Sequence, residues 1–255
     1  MPKSHQKGEG IKTRLDALLV KRGVAGTLKH AQTMIMAGCV HSTHTRLDKP
    51  GATVNDTIAL TVKTPATWVS RAGDKLAYAL KHFAIDPQGA ICLDIGANVG
   101  GFSHVLVAHK AQRVYAVDTD YGRLNWRLRQ NPTIVLVERC NARYLSREHI
   151  PEAVDMIVCD VSFVSLRTVL PPAMALASEH AVLCALIKPQ FEAPRHLVGA
   201  RGILKEARLY PQIARDVGVW LDTQTPWQTQ GIIESPVALP NGNKEYLIKA
   251  QRVVS

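Results

Sequence analysis

The chain has 255 residues, 46% of them hydrophobic, with 31 Lys and Arg against 21 Asp and Glu for a net charge of +10. That length suits one large domain or a large and a small one, each with a core to bury. The basic balance favours an anionic partner. Five cysteines, Cys39, Cys92, Cys140, Cys159 and Cys184, lack C-x-x-C spacing, which argues against a disulfide framework or a metal site. Their use fits a reducing cytoplasm. The opening MPKSHQKGEG has no apolar core of a signal peptide. The run Ala181 to Ile187 is far too short to span a bilayer. A cytoplasmic protein without stable membrane association is therefore expected.

The charge is uneven. Residues 1–63 hold ten Lys and Arg and four Asp and Glu, a net +6, while the other 192 residues net +4. Residues 1–10 read as a disordered tail. Thr13 is expected to cap a helix carrying Leu15, Leu18 and Leu19, stopped by Gly23. A second helix is expected from about Thr27 to Ala37, ended by Gly38, then strand-like pieces at Cys39–His41 and Thr57–Val62 with a turn at Lys49 to Gly51. Arg14, Lys21, Arg22, Lys29 and His30 fall on or near the two helices. Their nearly uniform sign favours a phosphate backbone over a merely solvated face. The stretches RLDALLVKRG, AQTMIMAGCV and KPG resemble the S4 domain, a small α+β RNA-binding module, over residues 11–63. That resemblance implies RNA binding.

Residues 64–69 read as a linker. Ser70 is expected to cap a helix with Leu76, Leu80 and Phe83 on one side and with Arg71 and Lys75 pointing off it. Ile91 to Ser103, ICLDIGANVGGFS, reads as strand, glycine turn and helix. Gly96, Gly100 and Gly101 let the backbone turn sharply and approach a ligand. The next apolar run, Val114 to Val117, ends at Asp118, an acid able to accept ribose hydroxyls. Further strands are expected at Thr133–Val137, Val154–Cys159, Ala181–Ile187, Gln228–Glu234 and Lys244–Arg252. Strands alternating with helical patterns predict a doubly covered, mostly parallel α/β sheet. Its strand ends would bring Gly96, Asp118, Cys140, Asn141, Asp160 and Lys188 to one mouth. At that mouth an acid and an amine could surround a substrate hydroxyl.

Taken whole, residues 70–255 resemble the TlyA (hemolysin A) family of S-adenosylmethionine-dependent ribose 2′-O-methyltransferases, within the FtsJ-like group. The stretches that carry the likeness are VSRAGDKL, LDIGANVGGFS, VYAVDTDYGRL, DVSFVSL, LIKPQFE and GNKEYLI. The resemblance implies a class I methyltransferase fold, Rossmann-like with seven strands. It implies a catalytic tetrad of Lys75, Asp160, Lys188 and Glu245. It implies an S-adenosylmethionine site at Asp94, Gly96, Ala97, Gly100, Gly101, Phe102, Asp118, Asn141 and Asp160, and a cytidine ribose of ribosomal RNA as substrate. Cys140 stands where the family pattern has Thr. Arg71 joins the five N-terminal residues as an RNA contact. Two other classes compete. An RNA-binding protein with a non-catalytic methyltransferase fold would be favoured by loss of Asp160 or Lys188, and both are present. A membrane-active haemolysin would need a long apolar or strongly amphipathic segment. An NAD-linked dehydrogenase is disfavoured by the glycine spacing. No sequence feature specifies an oligomeric state.

Overall fold

The computed structural model describes residues 10–43, 45–62, 67–237, 239 and 242–253. The expected tail, apart from Gly10, and residues 64–66 of the expected linker lie outside them. The chain divides into two compact units, Met1–Ala66 and Thr67–Ser255.

The smaller unit packs two helices, α1 (Leu15–Lys21) and α2 (Leu28–Met36), on two short antiparallel pairs. Strand β1 (Lys12–Arg14) pairs with β3 (Thr53–Asn55), and β2 (Val40–Ser42) with β4 (Leu60–Val62). Leu15, Leu19, Ala31, Ile35 and Val40 form its core. Thr27 caps α2, accepting from the His30 backbone N–H at 3.1 Å. Thr13 does not cap α1, because it lies in β1. The first N–H groups of α1 go instead to the carbonyls of Ala52 and Pro50, and the Asp16 carboxylate accepts from Ala17. Carbonyls around the Lys49–Gly51 turn therefore take the place of a cap.

The larger unit begins with α3 (Ala72–His82) and then alternates: β5 (Ile91–Ile95), α4 (Gly101–Ala108), β6 (Arg113–Val117), α5 (Trp126–Arg129), β7 (Ile134–Val137), β8 (Val154–Cys159), α6 (Leu166–Met174), β9 (Ala177–Ile187) and α7 (Pro189–Glu192). It ends with α8 (Leu209–Asp222), β10 (Trp227–Glu234) and β11 (Tyr246–Arg252). The seven strands form one sheet in the order β10-β11-β9-β8-β5-β6-β7. Only β11 is reversed: it pairs antiparallel with both β9 and β10, so the other six strands point the same way. Apolar layers cover both faces, which is why β5, β8 and the Ala181–Ile187 part of β9 are mostly apolar, with Asp94 and Asp155 as the exceptions. Ser70 does not cap α3. Arg71 occupies that position without a side-chain cap, and Ser70 packs against Gly101, where a Cβ would lie 2.3 Å from its Oγ. Lys75 does not point off the helix. It is buried.

Candidate active site

The parallel strands deliver their C-terminal ends to one edge, and the chain leaves β5 through a left-handed turn at Gly96, φ 82°. A Cβ there would sit 2.6 Å from the Asp160 carbonyl oxygen at the end of β8. Gly100, φ 94°, is closed in by Leu124 and Leu128, and Gly101 by Ser70 and Ala72. These glycines therefore let β5 and α4 pack closely against their own neighbours, and only Gly96 also lines a cavity.

Asp94 is fully buried. Its Oδ2 accepts from the Ser103 hydroxyl at 2.6 Å, which ties β5 to the first turn of α4. Its Oδ1 has no hydrogen-bond partner among the described residues. Burial pushes the carboxyl up to about 7, with the Ser103 hydrogen bond opposing the shift. Asp118 follows β6, and its two oxygens accept from the backbone N–H groups of Asn98, at 2.7 Å, and Asp120, at 2.9 Å. One carboxylate thus fixes both loops at the mouth while keeping lone pairs for a ligand. Asn141 accepts from the Arg143 N–H and so shapes the short 3₁₀ turn after β7.

Two cavities open along this edge. The larger, about 460 Å³, is lined by Gly96, Asn98, Asp118, Cys140, Asn141 and Asp160 among others. The smaller, about 290 Å³, is lined by Arg71, Lys75, Phe102, Asp160, Ser162 and Lys188 among others. Gly96, Asn98, Asp160 and Ser162 belong to both and form the wall between them. Asp94, Ala97, Gly100 and Gly101 line neither.

Two ion pairs present their amines, Lys75 and Lys188, to the smaller cavity. Lys75 Nζ lies 2.6 Å from Glu245 Oε2, with the side chains 9% and 3% exposed. Lys188 Nζ lies 2.6 Å from Asp160 Oδ1. That second contact is an ion pair without hydrogen-bond alignment, since Asp160 Oδ1 makes no hydrogen bond among the described residues. The directional bond of Lys188 goes to Ser162 Oγ at 2.8 Å. The sheet explains the grouping. β11 and β9 are antiparallel with Tyr246 opposite Ile187, so Glu245 and Lys188 leave adjacent strands at the same level. Each amine is held by its own carboxylate, and both face one space.

Two residues here escape a reading of the sequence. Ser162 is the hydroxyl partner of Lys188. Phe163 borders the larger cavity, is 90% exposed, and adopts φ 65°, a strained conformation for an aromatic residue. Both lie directly after Asp160, and the signal for them is an apolar ring placed where a strand has already ended.

The FtsJ-like methyltransferase model matches residues 68–252. The chain belongs to the FtsJ-like methyltransferase family. A Mycobacterium tuberculosis relative named 16S/23S rRNA (cytidine-2′-O)-methyltransferase TlyA is 42% identical over 93% of this chain and 89% of its own. Hemolysin A of Brachyspira hyodysenteriae is 34% identical, over 92% of this chain and 98% of its own. A solved structure from Streptococcus thermophilus, provisionally called a hemolysin, superposes with a TM-score of 0.72 at 33% identity, over 97% of this chain and 90% of that one. The seven-stranded sheet of this FtsJ-like methyltransferase is the class I methyltransferase fold. Among the described residues, no helix is long and apolar enough to cross a membrane.

In the smaller unit of this FtsJ-like methyltransferase, the basic residues divide. Lys21, Lys29 and His30 are exposed. Arg14 is held by Asp16 through two hydrogen bonds, and these keep the buried Asp16 carboxyl well below the usual carboxylate range. Arg22 is spent internally, donating to the carbonyls of Asp56, at 2.5 Å, and Ile58, at 2.8 Å. It straps α1 to the turn before β4.

Proposed function

We propose that this FtsJ-like methyltransferase transfers a methyl group from S-adenosylmethionine to the 2′-hydroxyl of a cytidine ribose in ribosomal RNA. The observation that carries the reading is the pair of lysine–carboxylate contacts around one small cavity that shares a wall with a nucleoside-sized one. The relatives named for rRNA methylation support the substrate class.

The larger cavity fits the cofactor's chemistry. Asp118 offers free lone pairs to ribose hydroxyls, and Cys140 and Asn141 border the space beyond it. Gly96 leaves its backbone bare at the wall between the cavities. Phe102 lines the smaller cavity, where the methyl would pass. Asp94, Ala97, Gly100 and Gly101 act one step back, by holding the turn and α4 in place. When bound, S-adenosylmethionine supplies a methyl group on a sulfonium, an electrophile that needs mainly a well-aligned nucleophile.

The protein's own part is alignment and proton handling. Asp160 and Ser162 hold the Lys188 amine at the wall between the cavities, where it takes the proton as the 2′-oxygen gains its methyl. Glu245 holds Lys75 on the opposite side, to orient the ribose. Arg71, exposed at the start of α3, meets a phosphate of the target strand. The smaller unit, an S4-type RNA-binding domain by its sequence pattern, offers Lys21, Lys29 and His30 to phosphates, with Arg14 aimed by Asp16. Arg22 contributes by holding that unit together. Incubating the protein with methyl-labelled S-adenosylmethionine and ribosomal subunits, then digesting the RNA to nucleosides, tests the assignment. Label recovered as 2′-O-methylcytidine is the expected result, and label on a base would overturn it.

A further inference from the structure

The hydrogen-bonded pairing of β8 with β9 ends at Cys159 and Ala185. Beyond it the ladder no longer holds the two segments that carry Asp160, Ser162 and Lys188. The contacts of the Lys188 amine span that gap, yet a lysine side chain is a flexible tether. A firmer tie lies one turn further out. Glu192 ends α7, the single turn that begins directly after Lys188. Its Oε1 accepts from the Leu166 backbone N–H at 2.7 Å, and its Oε2 from the Ser165 hydroxyl at 2.5 Å. The Phe191 N–H donates to the Lys188 carbonyl and the Ala193 N–H to that of Pro189. This turn is closed by its own backbone, so fixing Glu192 also fixes where the chain presents Lys188.

The tie does more than start α6. Ser165 already caps that helix, its hydroxyl oxygen accepting from the Arg167 N–H at 3.1 Å. Glu192 adds a bond to the same helix start from 26 positions along the chain. Burial pushes its carboxyl up, with the Ser165 and Leu166 hydrogen bonds opposing the shift. A carboxylate drawn out of water to meet a helix that already has its cap joins two segments rather than ending one. Between the ties lies Phe163, at φ 65°. A strained residue persists only where its surroundings hold it in place. Ser162 before it is held by Lys188, and Ser165 after it by Glu192. The Phe163 ring itself meets that of Phe191, the neighbour of Glu192, at 5.1 Å between centres.

We propose that Glu192 is a positioning residue for methyl transfer. Through Ser165 and Leu166 it locks the 160–165 segment onto the turn that presents Lys188, and so keeps Asp160 and Ser162 within reach of the amine. Glu192 lines neither cavity, so it acts through these neighbours and not on the reacting atoms. This rests on the reading of the chain as a ribose methyltransferase.

The test compares full-length wild type, Glu192→Ala and Glu192→Gln in three ways. Single-turnover transfer to ribosomal RNA is followed at saturating S-adenosylmethionine, amide hydrogen exchange is followed peptide by peptide, and thermal unfolding checks the fold. Glutamine keeps both links, since its Oε1 can accept from Leu166 and its Nε2 can donate to the Ser165 oxygen. Glu192→Ala is expected to slow transfer about a hundredfold, as a small misplacement of reacting groups does, with the half-saturating RNA concentration unchanged. Glu192→Gln is expected to recover most of the rate. In Glu192→Ala, exchange is expected to quicken about tenfold in peptides covering 160–167 and 188–193, and nowhere else, as for the loss of a hydrogen bond to a charged group. An unchanged rate in Glu192→Ala would overturn the proposal. A slower rate accompanied by a lower unfolding temperature and faster exchange throughout the sheet would make Glu192 a residue of general stability, and would overturn it too. Equal loss of transfer in both variants would show that the charge matters and the two links do not, with the same consequence. A wild type that transfers no methyl, with exchange still quickened only in these two segments of Glu192→Ala, would sink the enzymatic reading while supporting the tie.

Discussion

In the larger unit, Lys75 and Glu245 meet at 2.6 Å with hardly any solvent exposure, and Asp94 is buried with one oxygen unpartnered among the described residues. In the smaller unit, Lys21, Lys29 and His30 stand in water. The two regions use charge for different ends. A buried charge has lost its hydration, so its partner must be in place, and the geometry around it becomes rigid. An exposed cation keeps its hydration, contributes little to folding, and acts through long-range, salt-sensitive attraction. The first arrangement suits a site that must align reacting atoms, and the second suits capture of a polyanion. Substitutions in the two regions should therefore differ in kind as well as in size.

The largest effect on folding is expected at Asp94. Its carboxyl is pushed up to about 7 in the folded protein, against about 4 for an ordinary aspartate. Between those two values the unfolded chain releases a proton that the folded chain retains, so wild-type stability falls as pH rises from about 4 to about 7 and then levels off. Asp94→Asn removes this loss. Denaturant titrations across pH should show the variant matching wild type near pH 4 and exceeding it by roughly 3–4 kcal/mol at pH 8. A wild-type profile parallel to that of the variant would show that folding does not raise the Asp94 carboxyl.

A loss of about 3 kcal/mol is expected from Glu245→Gln, which leaves the Lys75 ammonium buried beside a neutral amide. The double variant Lys75→Met/Glu245→Gln should regain most of that stability and none of the methyl transfer. Chemical denaturation of the three proteins, read beside their activity, separates the folding role of this pair from its role at the cavity.

At the mouth, Asp118→Ala should weaken S-adenosylmethionine binding by about 1–3 kcal/mol, measured by calorimetry, with NAD giving no heat in either protein. The smallest effect is expected in the smaller unit. Lys21→Gln/Lys29→Gln should flatten the salt dependence of RNA binding by about 0.7 in slope for each phosphate no longer neutralised, with cofactor affinity and unfolding temperature unchanged. Equal slopes for variant and wild type would remove phosphate capture from these two lysines.

How much of this is legible in the sequence follows from the same contrast. The β5 and β8 spans, Ile91–Ile95 and Val154–Cys159, read directly because strands buried on both faces leave mostly apolar runs, here broken by a single acid each, Asp94 and Asp155. The polar residues ending those runs point to the mouth. Helix starts are less legible. Thr13 and Ser70 have the chemistry of caps, yet α1 begins on carbonyls supplied from around the Lys49–Gly51 turn, and Ser70 serves the packing of Gly101. Both outcomes depend on residues far along the chain or across a packed contact. Lys75 reads as a surface residue until Glu245, 170 positions later, is known to face it. The glycines of the turn read as ligand-facing, whereas Gly100 and Gly101 answer to side chains of α3 and the α5 region.

Single-turnover methyl transfer from labelled S-adenosylmethionine to ribosomal RNA, compared between wild type and Lys188→Arg, tests the central claim most directly. Arginine keeps the positive charge and can still face Asp160, but it does not release its proton at any workable pH. If Lys188 is the group that takes the 2′-hydroxyl proton, transfer should fall by at least about a thousandfold, equivalent to roughly 4 kcal/mol of barrier, while RNA and cofactor affinities hold. A variant that keeps a substantial fraction of wild-type transfer would contradict the account and leave this lysine as an electrostatic clamp on the substrate.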